Sequence, residues 1–159
     1  MTTPTEFPPR QFASEAEIVR LGEGLLNCCL VRADWTHEAH FASVLYLAMR
    51  HPDILLEREL PDLIRQLNVS FGGENTDTAG YHETLTQFYI GVVRDFVSRW
   101  HGKPELLSMC NALVSSPAAH RDYPLSYWSR EQLFSPTARR SWISPDLKRL
   151  PFPISSGGG

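Results

Sequence analysis

Between residues 82 and 100 an apolar or aromatic side chain returns every three to four positions: His82, Leu85, Phe88-Tyr89, Val92-Val93, Phe96-Val97 and Trp100. That period places one stripe of an α-helix against an apolar partner, and a lone helix cannot bury its own stripe. The rest of the chain must therefore supply the other walls, and its pattern is helical as well. Ser14-Glu15-Ala16-Glu17 has the reciprocal capping form that opens a helix, with Ile18, Leu21, Leu25, Cys28 and Cys29 following on one face. Asp34 is placed to cap a second helix running to about Arg50, which must stop before His51-Pro52. Asp53 opens a third, to about Phe71, in which Pro61 imposes a kink or a new start at Asp62. The stripe itself gives a fourth, from about Ala79 to His101, and Pro104 starts a fifth that ends near Ser116.

The expected fold class is thus all-α: a helical bundle of about five main helices with an irregular, proline-rich C-terminal tail. Short helices are expected there at Arg130–Phe134 and Pro136–Trp142. A chain of 159 residues, 42% hydrophobic, is large enough for one core. The expected division is a flexible arm over residues 1–13, a single helical domain over 14–151 and a flexible tail over 152–159.

Formal charge is -3 and the isoelectric point about 6.0. Without a basic excess to neutralise phosphates, the expected partners exclude nucleic acid and membrane surfaces and point to a small-molecule ligand or another protein. The aromatic-rich C-terminal segment offers a contact for a homodimer. No apolar run approaches the roughly 20 residues of a membrane span, and the N-terminus lacks the basic-then-apolar order of a secretory signal. Cys28, Cys29 and Cys110 have no disulfide-type spacing, and the first two read as buried thiols of the first helix. A cytoplasmic, reducing setting is expected.

The chemistry-bearing residues concentrate in Trp35-Thr36-His37-Glu38-Ala39-His40 and Tyr81-His82-Glu83-Thr84. Histidines three apart share one helix face, so His37 and His40 can approach one ion. His82, beside a glycine-bearing loop, is the expected third ligand. Three imidazoles with an open position suit a divalent transition metal, zinc, iron, nickel or copper. Glu83 would be a ligand, orienter or catalytic base, with Tyr81 and Thr86 positioned to contact substrate. The expected activity is that of a small metalloenzyme acting on a polar metabolite. His37-Glu38-Ala39-His40 is one residue too short for the zinc-protease pattern, in which the histidines stand four apart. Two other readings stay open: metal-free acid–base catalysis, and a metal-free binding module in which the histidines are hydrogen-bonded groups of a polar core.

The motif order also resembles that of a widespread, uncharacterised family of small bacterial proteins. The resemblance is carried by Trp35-Thr36-His37-Glu38-Ala39-His40-Phe41 with Leu45-Tyr46-Leu47, by Gly80-Tyr81-His82-Glu83-Thr84-Leu85-Thr86, and by Tyr127-Trp128-Ser129, Leu133, Ser135-Pro136, Ala138-Arg139, Pro145-Asp146-Leu147 and Leu150-Pro151. It implies that His37, His40 and His82 belong to one site and that the Ser-Pro-x-Ala-Arg segment is integral to the fold. On that footing Arg139 becomes a candidate to bind a substrate carboxylate or phosphate, its planar fork matching either group. A salt bridge to Asp146 or Glu83 is the structural alternative.

Overall fold

Residues 41–47, Phe-Ala-Ser-Val-Leu-Tyr-Leu, are buried without a break. A helix apolar on all sides belongs in the middle of a bundle. This helix, α2 (His37–Arg50), indeed packs against α1 (Glu15–Leu26), α3 (Leu56–Ser70), α4 (Glu83–Arg99) and α5 (Leu106–Val114). The structure is a computed structural model and describes residues 10–154. Two short helices follow, α6 (Arg130–Leu133) and α7 (Pro136–Arg140), with 3₁₀ turns at Arg32–Asp34, Pro117–Ala119 and Tyr123–Ser126. There is no strand among the described residues, so the fold is all-α with five main helices. None of these helices is long and apolar enough to cross a membrane.

Several boundaries shift for identifiable reasons. Ser14 caps α1 as expected, accepting from the Glu17 amide at 3.3 Å. The helix ends at Leu26, however, before the cysteines: Cys28 takes a left-handed φ of 54° and is half-buried, while Cys29 is exposed. Only Cys110 is a buried thiol, and burial pushes its pKa up to about 12. Asp34 does not cap α2, because its carboxylate accepts from the Val31 amide (3.1 Å) and pairs with Arg20 (3.3 Å). Thr36 caps instead, its hydroxyl accepting from the Ala39 amide at 3.1 Å.

Pro61 neither breaks α3 nor restarts it. Proline cannot donate to the carbonyl four residues back, which here is that of Glu57. The buried Gln87 side chain of α4 donates to that carbonyl at 2.9 Å, satisfying the orphan across the α3–α4 contact.

Phe12 and Phe152, placed by the sequence in the arm and the tail, are more deeply engaged than expected. Phe12 is 9% exposed, and its backbone exchanges two hydrogen bonds with the Asn111 side chain (2.8 and 3.0 Å). Phe152, assigned to a flexible tail, is buried against α4 at Gly91, where a Cβ would lie 2.6 Å from its ring. The remainder of the expected arm (1–9) and tail (155–159) lies outside the described residues. Trp128 is fully buried, its ring 5.3 Å from Phe88 and 5.5 Å from Trp142, and its indole N–H donates to the Ile143 carbonyl. Tyr127, Trp128 and Phe152 are thus part of the protein's own core.

Candidate functional site

A cavity of about 450 Å³ opens between α2, α3, α4 and the turn after the second 3₁₀ segment. Its walls are mostly apolar: Trp35, Phe41 and Val44 from the α2 side, Leu60 and Ile64 from α3, Leu85 and Val93 from α4. Polar groups occupy two sides. His37, His40, Tyr89 and Arg121 form one set, and Asn68, Gly80, Tyr81, His82 and Thr86 the other. The two halves of the histidine constellation therefore do reach one cavity, but they are wired differently.

His37 sits in the first turn of α2, and its Nε2–H donates to the Ala119 carbonyl at 2.7 Å. This bond ties the turn carrying Arg121 to the start of α2. The His40 Nδ1–H donates to the Thr36 carbonyl at 2.6 Å, one turn back. Its ring stacks on Trp35 with centroids 4.0 Å apart, and that of His37 meets Phe41 edge-on. Each imidazole thus has one nitrogen committed to a backbone carbonyl, leaving its neutral tautomer one lone pair. Protein packed around His40 lowers its pKa to about 4, with the Thr36 bond opposing the effect and the Arg121 charge adding to it. The residue as a whole is exposed, and the direction of the shift follows from the protein around the ring and the Arg121 charge together.

His82 has no lone pair to spare. It is the N-cap of α4: Nδ1 accepts from the Leu85 amide at 3.2 Å, and Nε2–H donates to the Leu133 carbonyl at 2.6 Å. A metal on this ring would have to displace either the helix cap or the bond to the C-terminal segment. Burial lowers the His82 pKa, which keeps the ring in the neutral form this double role requires. Among the described residues, no group of three or more His, Cys, Asp or Glu side chains is arranged to hold an ion. The expected His37–His40–His82 ligand set does not fit these residues as they stand, for the physical reason that the third imidazole is already used at both nitrogens.

The neighbours of His82 follow the same pattern. The Thr84 hydroxyl, fully buried, lies 2.7 Å from the Ala138 carbonyl and 2.9 Å from that of Ser141, and accepts from the Ile143 amide at 3.2 Å. Arg139, expected to hold a substrate anion or a carboxylate of the chain, donates through Nη1 to the Gly80 carbonyl at 3.0 Å. It is not among the cavity-lining residues, and neither is Glu83. The Glu83 carboxylate accepts from the Tyr81 hydroxyl and from Gln87 Nε2 (3.3 Å), which leaves it buttressing the loop instead of facing the cavity. Tyr81 is a wall residue, its ring under the Arg65 guanidinium at 4.2 Å; burial and the adjacent Glu83 push its pKa well above the usual phenol range. The Thr86 hydroxyl lines the cavity while donating to the His82 carbonyl at 2.8 Å.

The loop before α4 is held as firmly. Asn75 Oδ1 accepts from the Tyr81 amide (3.0 Å) and from Asn68 (3.1 Å), and its Nδ2 donates to the Arg65 carbonyl (3.1 Å). Gly80 has φ +85°, and a Cβ there would lie 2.0 Å from the Glu74 carbonyl oxygen, so only glycine fits.

Sequence reasoning missed Arg121. The segment Ala119-His120-Arg121-Asp122 has no periodicity and no motif, and it is brought to the cavity by tertiary contacts such as the His37–Ala119 bond and the burial of Ala119 in the core. Asn68, Leu60 and Ile64 were equally hidden, since α3 faces the cavity through tertiary packing. Comparison of the chain with family models, with curated proteins and with solved structures finds no match, so the site stands on its geometry.

Proposed function

We propose that the protein is a binding module that takes a small organic molecule into the cavity between α2, α3 and α4. The observation that carries this reading is the cavity itself: a volume of about 450 Å³ lies in the usual range for ligand pockets, and apolar walls with a few fixed polar groups are their usual composition. Backbone carbonyls hold His37 and His40 in defined orientations, so the site is ordered before anything enters it.

Binding is favoured over turnover by the state of the ionisable groups. A general base works best with a pKa near the operating pH, whereas the His40 value of about 4 makes it a weak base and leaves it a neutral acceptor. The nearby carboxylate, Glu83, is engaged with Tyr81 and Gln87. The metalloenzyme reading needs His82 as a ligand, and the wiring of that ring opposes it.

The test is a ligand-observed NMR screen of a small-fragment library against the wild type and Ile64→Trp. Ile64 is half-buried on the cavity wall, and an indole there fills the space. Hits with the wild type that vanish in a variant with unchanged circular dichroism are expected. An absence of hits, or hits indifferent to the indole, overturns the reading.

A further inference from the structure

Among the described residues, Arg121 is the single permanently charged one lining the cavity; no Asp, Glu or Lys of these stands with it there. Its guanidinium makes no hydrogen bond or ion pair with any described residue, whereas Arg20, Arg50, Arg65, Arg94, Arg99 and Arg140 each pair with a carboxylate. Arg121 is itself exposed, so its charge is open to an incoming anion, and an apolar body seated on the walls beside it would exclude water and strengthen the pair. Its fork matches a carboxylate with two parallel hydrogen bonds.

The rest of the polar lining argues for one negative charge, not two. Two helix N-termini border the cavity, and either would strengthen a phosphate site if its amides were free. In each, a first-turn amide is already taken, that of Ala39 by the Thr36 hydroxyl and that of Leu85 by the His82 ring, which weakens both as anion sites. The acidic groups near this end, Glu38 and Asp122, influence His40 and Tyr89 but are not part of the lining. Burial raises the Tyr89 pKa, so its hydroxyl stays protonated and can donate beside Arg121.

We infer that the ligand is an organic monocarboxylate with an apolar body, its carboxylate on Arg121 and its body along Phe41, Ile64 and Leu85. This rests on the cavity being a binding site, as proposed above. The experiment compares two matched pairs by titration calorimetry at low salt, octanoate with 1-octanol and 4-phenylbutyrate with 4-phenyl-1-butanol, on the wild type and Arg121→Gln. At least one acid should bind the wild type about tenfold tighter than its alcohol, the scale of a charged hydrogen bond. In Arg121→Gln that preference should shrink to about twofold or less, with alcohol binding unchanged, and in the wild type it should weaken as salt is added. Equal or tighter binding of both alcohols, or an acid preference that survives Arg121→Gln, overturns the inference while leaving the cavity reading intact. Displacement of the bound acid by inorganic phosphate at equal concentration also overturns it. Failure of all four compounds to bind removes the cavity reading and this inference with it.

Discussion

His37-Glu38-Ala39-His40 and Tyr81-His82-Glu83-Thr84 look alike in sequence, but the fold uses them in opposite ways. In the first, each imidazole gives one nitrogen to a backbone carbonyl and keeps a lone pair beside the cavity. In the second, the polar atoms are taken up: Tyr81 and Glu83 by each other and Gln87, His82 Nδ1 by the helix cap, while His82 Nε2 and the Thr84 hydroxyl reach Leu133, Ala138 and Ile143, 50 to 60 residues away, and Arg139 returns a bond to Gly80. The second motif is a clasp that docks α6 and α7 onto the start of α4. A histidine-rich motif therefore does not by itself announce a metal; what matters is whether a lone pair remains after the backbone has been satisfied.

The comparison breaks most easily at what the clasp holds. Trp128→Ala should cost about 3–5 kcal/mol, the range for truncating a buried large aromatic, because the C-terminal segment is core and not covering. A urea midpoint close to wild type would show that the segment is dispensable to the fold. Next in size, Thr84→Val keeps the shape but strands two carbonyls and the Ile143 amide, for a loss of about 1–3 kcal/mol. His40→Gln, on the cavity side, should stay within about 0.5 kcal/mol. Similar losses in both variants would erase the distinction between clasp and cavity.

Acid sharpens the contrast further. Burial holds the His82 pKa, and the surrounding protein with the Arg121 charge that of the exposed His40, below the free-ring value of 6.5, so below that pH the unfolded chain binds protons that the native rings refuse. Stability should be full above about pH 6.5 and decline as the pH falls toward 4, with the lowered carboxylates of Asp34, Glu57 and Asp146 adding their loss at still lower pH. His82→Asn, which keeps a capping acceptor but cannot titrate, should flatten the slope between pH 6.5 and 5. Stability that is constant or rising as the pH drops through this window would contradict the assigned environments. The smallest effect is spectroscopic: added Zn²⁺ should leave the His82 ring ¹⁵N resonances in place. Joint movement of the His37, His40 and His82 signals would restore a three-imidazole centre.

Much of the architecture was legible in the chain, because it depends on local periodicity and punctuation. The α1 cap at Ser14, the stripe of α4 and the short helices after Ser129 and Ser135 all follow from side chains acting within one or two turns. Errors arose where a local rule had competitors. Asp34 lost α2 to Thr36 because other donors reached its carboxylate first, and Pro61 stayed within α3 because Gln87, 26 residues on, took over the orphaned carbonyl. His82 was recognised as important but placed inside the helix, since imidazole is not among the usual capping side chains.

By itself, then, the sequence determined the helices and the one core they share, since a 3.6-residue period and its breakers act through neighbouring residues. It also marked which polar residues matter. What each of them does was decided by the tertiary structure, because a hydrogen-bonding group has few valences and the ring Nε2 of His82 and the Thr84 hydroxyl are consumed by partners the folded chain brings near. The same packing leaves the Arg121 guanidinium at the cavity with no partner among the described residues, on the turn that the bond between His37 and Ala119 ties to α2.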